Sequence, residues 1–140
     1  MLNWGVIPSI RVRDMGAALE CYQGTLGFTV TRGDPDQENC SLVRCDAHLM
    51  LERPTDFYSA GYNEAIRQGL GAPSATALYI EAADLDALYA QVRGAGLTVI
   101  DPLADRPWGQ AEFTVEDAEG NWLTFWKSPQ PSAWCDASNR

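Results

Sequence analysis

The chain repeats itself at half its length. Ser9-Ile10-Arg11-Val12-Arg13 runs into Asp14, then Met15-Gly16-Ala17-Ala18-Leu19, and Gly27-Phe28-Thr29-Val30 follows. Seventy positions on, Leu78-Tyr79-Ile80-Glu81 runs into Asp84-Leu85-Asp86-Ala87-Leu88, and Gly96-Leu97-Thr98-Val99 follows. Each copy reads strand, Asp at a helix start, helix, glycine, strand. A self-similar period limits the fold to architectures built from two like units.

Alternation and helical spacing fill in each unit. Gly5 to Val12 suits a strand. Asp14 is a good N-cap, and Met15, Leu19, Tyr22 and Leu26 form a buried helical stripe ended by Gly27. Strands are expected over 28–31, 40–44 and 47–52. The second unit offers a strand over 76–82, a helix capped by Asp84, and strands over 97–100, 112–116 and 122–127. The whole reads as one α+β domain over 1–140 made of two tandem βαβββ modules, about 5–53 and 76–127. A connection spans 54–75, with a helical turn or two at 63–68, and an irregular tail spans 128–140.

Bulk properties exclude some classes. The formal charge of −9 argues against nucleic acid, which needs a basic face. No apolar run reaches membrane-spanning length, and no signal peptide is read. Cys21, Cys40, Cys45 and Cys135 show no CxxC or zinc spacing, so the expectation is a cytoplasmic protein with free thiols and no membrane partner.

The repeat, with Ile7-Pro8-Ser9-Ile10-Arg11-Val12-Arg13-Asp14, Cys21-Tyr22, Leu26-Gly27-Phe28, Pro107-Trp108-Gly109, Glu112-Phe113 and Asp117-Ala118-Glu119-Gly120-Asn121, resembles the vicinal oxygen chelate superfamily. That superfamily includes glyoxalase I, extradiol dioxygenases and bleomycin-resistance proteins. The resemblance implies a curved mixed sheet around a cleft, helices on the outer face, and a homodimer. It also implies metal ligands at four positions, which here hold Ile7, Met50, Ala77 and Thr124. None of these suits a divalent ion, so no metal and no cofactor is expected. The nearest match is then the metal-free, bleomycin-resistance-like branch.

Strand parity divides the sheet into two faces. Ile10, Val12, Leu49, Leu51, Leu78, Ile80, Leu123 and Phe125 make an apolar set that should meet the helices. Ser9, Arg11, His48, Met50, Glu52, Ala77, Tyr79, Glu81, Trp122, Thr124 and Trp126 make the opposite set. Its mixture of aromatic and polar groups suits a ligand cleft. A small-molecule ligand with flat rings would stack on Trp108, Trp122 or Trp126, and Glu52, Glu81 or Glu112 would pair with its cationic groups. Arg11 would pair with one of these carboxylates or with a ligand anion. Phe57, Tyr58 and Tyr62 would close the site from the connection.

The expected function is sequestration of an aromatic or cationic small molecule, such as an antibiotic, without catalysis. The alternative is a metal-dependent lyase, isomerase or dioxygenase with displaced ligands, for which His48, Glu52 and Glu81 are the available set. Metal-free acid–base chemistry by His48 with Glu52 or Glu81 is a third reading.

Overall fold

Asp14 begins the fold as its sequence promises. The structure, a computed structural model, describes residues 5–55, 58–70 and 76–127. Asp14 follows β1 (Ser9–Arg11), and its Oδ1 accepts from the Ala17 amide at 3.1 Å, capping α1 (Met15–Leu19). The helix loosens to π geometry over Glu20–Thr25, where the expected α pattern gives way. Tyr22 and Leu26 are nonetheless fully buried. Gly27, at φ 79°, turns the chain into β2 (Thr29–Arg32). β3 (Asn39–Arg44) and β4 (Ala47–Glu52) complete the first module.

The connection carries α2 (Ala60–Gly69), longer than the expected turn or two. Ser59 explains its start, since its Oγ accepts from the Tyr62 amide at 3.2 Å. The second module follows as β5 (Ala77–Glu81), α3 (Leu85–Gly94), β6 (Val99–Asp105), β7 (Ala111–Glu116) and β8 (Trp122–Lys127). β6 runs on to Asp105, past residue 100 where the strand was expected to end.

Each module forms its own four-stranded mixed sheet, ordered β1-β4-β3-β2 and β5-β8-β7-β6. In both, the first strand lies parallel to the last, and the other pairs are antiparallel. The apolar parity set faces the helices: Val12, Leu51, Leu123 and Phe125 are completely buried with Met15, Leu85 and Val92 in one core. Leu78 packs against that core from a partly buried position.

Asp84 departs from its expected role. It makes no side-chain cap. Its two carboxylate oxygens instead accept from Arg44 Nη2 at 2.8 and 3.0 Å. A charge-assisted bond to a buried guanidinium outweighs one to a neutral helix amide. The same residue type therefore caps a helix in the first module and clasps the modules together in the second. The other clasp is Tyr22, which donates to Asp117 Oδ2 at 2.6 Å. Asp117 Oδ1 also accepts the amides of Glu119 and Asn121, fixing the β7–β8 turn.

Cys21 and Cys40 are buried free thiols, as expected. The expectation fails at Cys45, which sits at φ 54° in the β3–β4 turn and is disulfide-bonded. Among the described residues, no helix is long and apolar enough to cross a membrane.

Candidate functional site

Parity places Arg11 and Glu52 side by side, because β1 pairs with β4 in the register Arg11↔Glu52. They form an ion pair at 3.1 Å. Glu52, only 7% exposed, also accepts from Ser9 Oγ at 3.3 Å, Asn39 Nδ2 at 3.0 Å and the Tyr58 hydroxyl at 3.3 Å. Its carboxylate is thus spoken for within the protein. α2 closes over this face. Tyr62 accepts from Arg11 Nη2 at 2.5 Å, and Tyr58 and Tyr62 stack at 4.5 Å with the guanidinium over both rings. Met50 Sδ accepts from Asn39 Nδ2 at 3.8 Å. His48, opposite Val43, is half-buried further along β4. Phe57 lies outside the described residues.

Three rows cross the second module's face: Ala77, Trp122 and Glu116; Tyr79, Thr124 and Thr114; Glu81, Trp126 and Glu112. The threonine hydroxyls meet at 2.7 Å and are buried. Tyr79 and Trp108 are each 62% exposed. Trp108, between β6 and β7, donates its indole N–H to Glu112 Oε1 at 3.3 Å, covering a carboxylate that is 5% exposed. Arg106 stands 4.0 Å from the other Glu112 oxygen and 2.7 Å from Asp101.

Between the modules lies a cavity of about 360 Å³. Ile10 and Arg11 of β1, Leu78 of β5, Trp122 of β8 and Glu119 line it, together with Ile66 of α2 and Leu70 just after that helix.

Several participants escaped the sequence reading. Asn39 joins the Glu52 network because β3 begins one residue earlier than expected, which puts Asn39 opposite Glu52. Ile66 of α2 and Leu70 just after it were hidden in a stretch read as mostly loop. Arg106 carried no motif.

The structure also bears on the metal. Thr124 is 2% exposed with its hydroxyl on Thr114, and Met50 is held by Asn39. Ile7 and Ala77 offer no donor side chain. These residues do not fit an ion. Nor do His48, Glu52 and Glu81 assemble as a substitute: no cluster of three His, Cys, Asp or Glu suited to a metal occurs among the described residues.

The glyoxalase/bleomycin resistance protein/dioxygenase superfamily model matches residues 6–125. The chain belongs to that superfamily. Solved structures of similar fold include TioX from Micromonospora sp. ML1, at 20% identity and TM-score 0.66, covering 88% of this chain and 98% of that one. The bleomycin resistance determinant encoded on transposon Tn5 is 17% identical with TM-score 0.64, covering 91% of this chain and 100% of that one. A glyoxalase/bleomycin resistance protein/dioxygenase superfamily member from Sphaerobacter thermophilus DSM 20745 is 23% identical with TM-score 0.62, covering 89% and 98% respectively. At these identities the likeness is one of fold. No curated protein matches the chain. Within the superfamily, this chain keeps the two βαβββ modules and has Ile7, Met50, Ala77 and Thr124 at the four positions read above as metal ligands.

Proposed function

We propose that this superfamily member is a metal-free small-molecule-binding protein of the bleomycin-resistance type, which sequesters a flat aromatic, cationic compound on the face of its second module. The observation that carries this reading is Trp108. A tryptophan left 62% exposed, its indole hydrogen-bonded to Glu112, which lies opposite Trp126 in the sheet, offers a stacking surface with a carboxylate next to it. An exposed aromatic patch of this kind is costly to keep wet and marks interaction sites. Each ring contact adds about 1 kcal/mol beyond burial. Glu112 takes the cation-pairing role because its own ion pair, with Arg106 at 4.0 Å, is longer than the 3.1 Å pair between Arg11 and Glu52.

A two-fold homodimer is part of the proposal, since most homo-oligomers are two-fold and β1 and β5 each end a sheet. Sedimentation velocity tests the assembly. Titration with planar cations such as proflavine and berberine, read by tryptophan quenching, tests the binding. Saturable quenching supports the reading, and its absence across such a panel overturns it.

A further inference from the structure

The turn that carries Trp108 sends a second side chain to the same carboxylate. Residues 106–110 join β6 to β7, pinned where the Arg106 amide donates to the Gln110 carbonyl at 2.8 Å and the Gly109 amide donates to the Arg106 carbonyl at 3.0 Å. Trp108 Nε1 donates to one oxygen of Glu112 at 3.3 Å. Arg106 Nε faces the other oxygen at 4.0 Å. That separation is an ion-pair distance and too long for a hydrogen bond. The guanidinium donates its hydrogen bond elsewhere, from Nη2 to Asp101 Oδ2 at 2.7 Å.

The sequence explains why Asp101 is placed to take it. Pro102 comes next and has no N–H for the ladder. Such a residue is tolerated on an edge strand, and β6 is the edge of its sheet. The β6–β7 register shifts on both sides of Asp101. An irregularity of this kind re-aims a side chain. Arg106 is thus shared unequally between two carboxylates. Exposed Asp101 holds it by a charge-assisted hydrogen bond, and buried Glu112 attracts it only through space.

A ligand cation on the aromatic face, the reading on which this step rests, meets Arg106 as a rival for the oxygen that Trp108 leaves. We propose that Arg106 is a built-in competitor that sets the affinity of that face for cations, and that Asp101 is the positioning residue that holds it off Glu112. A cation able to hydrogen-bond to Glu112 Oε2 gains over Arg106, whose distance of 4.0 Å forbids that bond.

Proflavine, a flat cation, and acridone, a flat uncharged ring, are titrated by tryptophan quenching against the parent, Arg106→Gln, Asp101→Asn and the double variant. Arg106→Gln is expected to tighten proflavine about fivefold and Asp101→Asn to weaken it about threefold, the scale of single exposed ion pairs. Opposite signs would also follow from the two charges acting at a distance, so the double variant decides. With no arginine left to hold, Asp101→Asn is expected to change nothing, and the double variant binds proflavine as tightly as Arg106→Gln. Acridone is expected to bind all four proteins alike, which shows the stacking surface intact. The proposal is overturned if the two effects simply add in the double variant, if Arg106→Gln fails to tighten proflavine, or if acridone affinities follow those of proflavine. Absence of proflavine quenching in the parent overturns the reading of the face and this proposal with it. Quenching in the parent with no difference among the variants overturns this proposal alone.

Discussion

Arg44 and Asp84 join the two modules. Arg44, whose side chain is 3% exposed, reaches from β3 to both oxygens of Asp84 at the start of α3, while its Nε donates to the Leu26 carbonyl at 2.9 Å. Its guanidinium also lies 5.8 Å from the centre of the Phe125 ring. A buried guanidinium must keep its anion. Asp84→Asn is therefore expected to lower unfolding free energy by about 2 kcal/mol, below the range for fully buried pairs because Asp84 is half-exposed. Urea denaturation measures it. A loss no larger than that of an ordinary surface substitution would show that the pair does not hold the modules.

The second clasp is sensitive to alkali. Burial, reinforced by the charge of Asp117, raises the Cys21 thiol from 9.0 to about 11 and raises the Tyr22 phenol well above 10.0. In both, the neutral form is the one the fold favours. Their contributions are complete below the unfolded pKa values and fall as pH rises toward the folded ones. Stability is expected to decline from about pH 9 upward, with Cys21 alone worth on the order of 2 kcal/mol by pH 11. Cys21→Ala should flatten the decline between pH 9 and 11 in urea titrations run across that range.

Two glycines should respond in opposite directions to alanine. At Gly33, with φ 101°, a Cβ would stand 2.6 Å from Cys40 Sγ and 2.8 Å from the Asn39 carbonyl oxygen. Gly33→Ala is expected to cost about 3 kcal/mol. Gly61 lies in α2 with nothing within 4 Å of a Cβ, so Gly61→Ala is expected to gain about 0.5 kcal/mol. Thermal denaturation of the two variants side by side checks both signs.

On the aromatic face, Trp108→Ala removes an exposed ring and one hydrogen bond to Glu112. It is expected to weaken proflavine binding about tenfold with little change in thermal midpoint. Glu112→Gln is expected to weaken the cationic dye and leave a neutral acridine unaffected, which separates charge pairing from stacking.

Much of the fold was written in the sequence because it depends on local patterns said twice. Asp14, Gly27 and the alternating apolar residues of β4 and β8 act through their own neighbours, and each was legible. What was hidden depends on partners far along the chain. Asp84 reads as a helix cap until Arg44, 40 positions away, is seen to take its carboxylate. Glu52 reads as a ligand anchor, and its partner Tyr58, from the segment leading into α2, was not foreseen. The cavity is invisible to parity, since its walls come from both faces of two sheets and from a helix that polar residues disguise. That Ile7, Met50, Ala77 and Thr124 occupy the four counted positions, by contrast, was readable by counting alone.

The central claim is that this superfamily scaffold binds an aromatic cation without a metal. The most direct measurement is a tryptophan-fluorescence titration of the purified protein with proflavine, with and without EDTA, beside elemental analysis of the same sample. The expected result is saturable quenching with Kd of about 10 μM or tighter, the same in both buffers, and no stoichiometric metal. Stoichiometric zinc, nickel, manganese or iron, together with binding lost in EDTA, would contradict it.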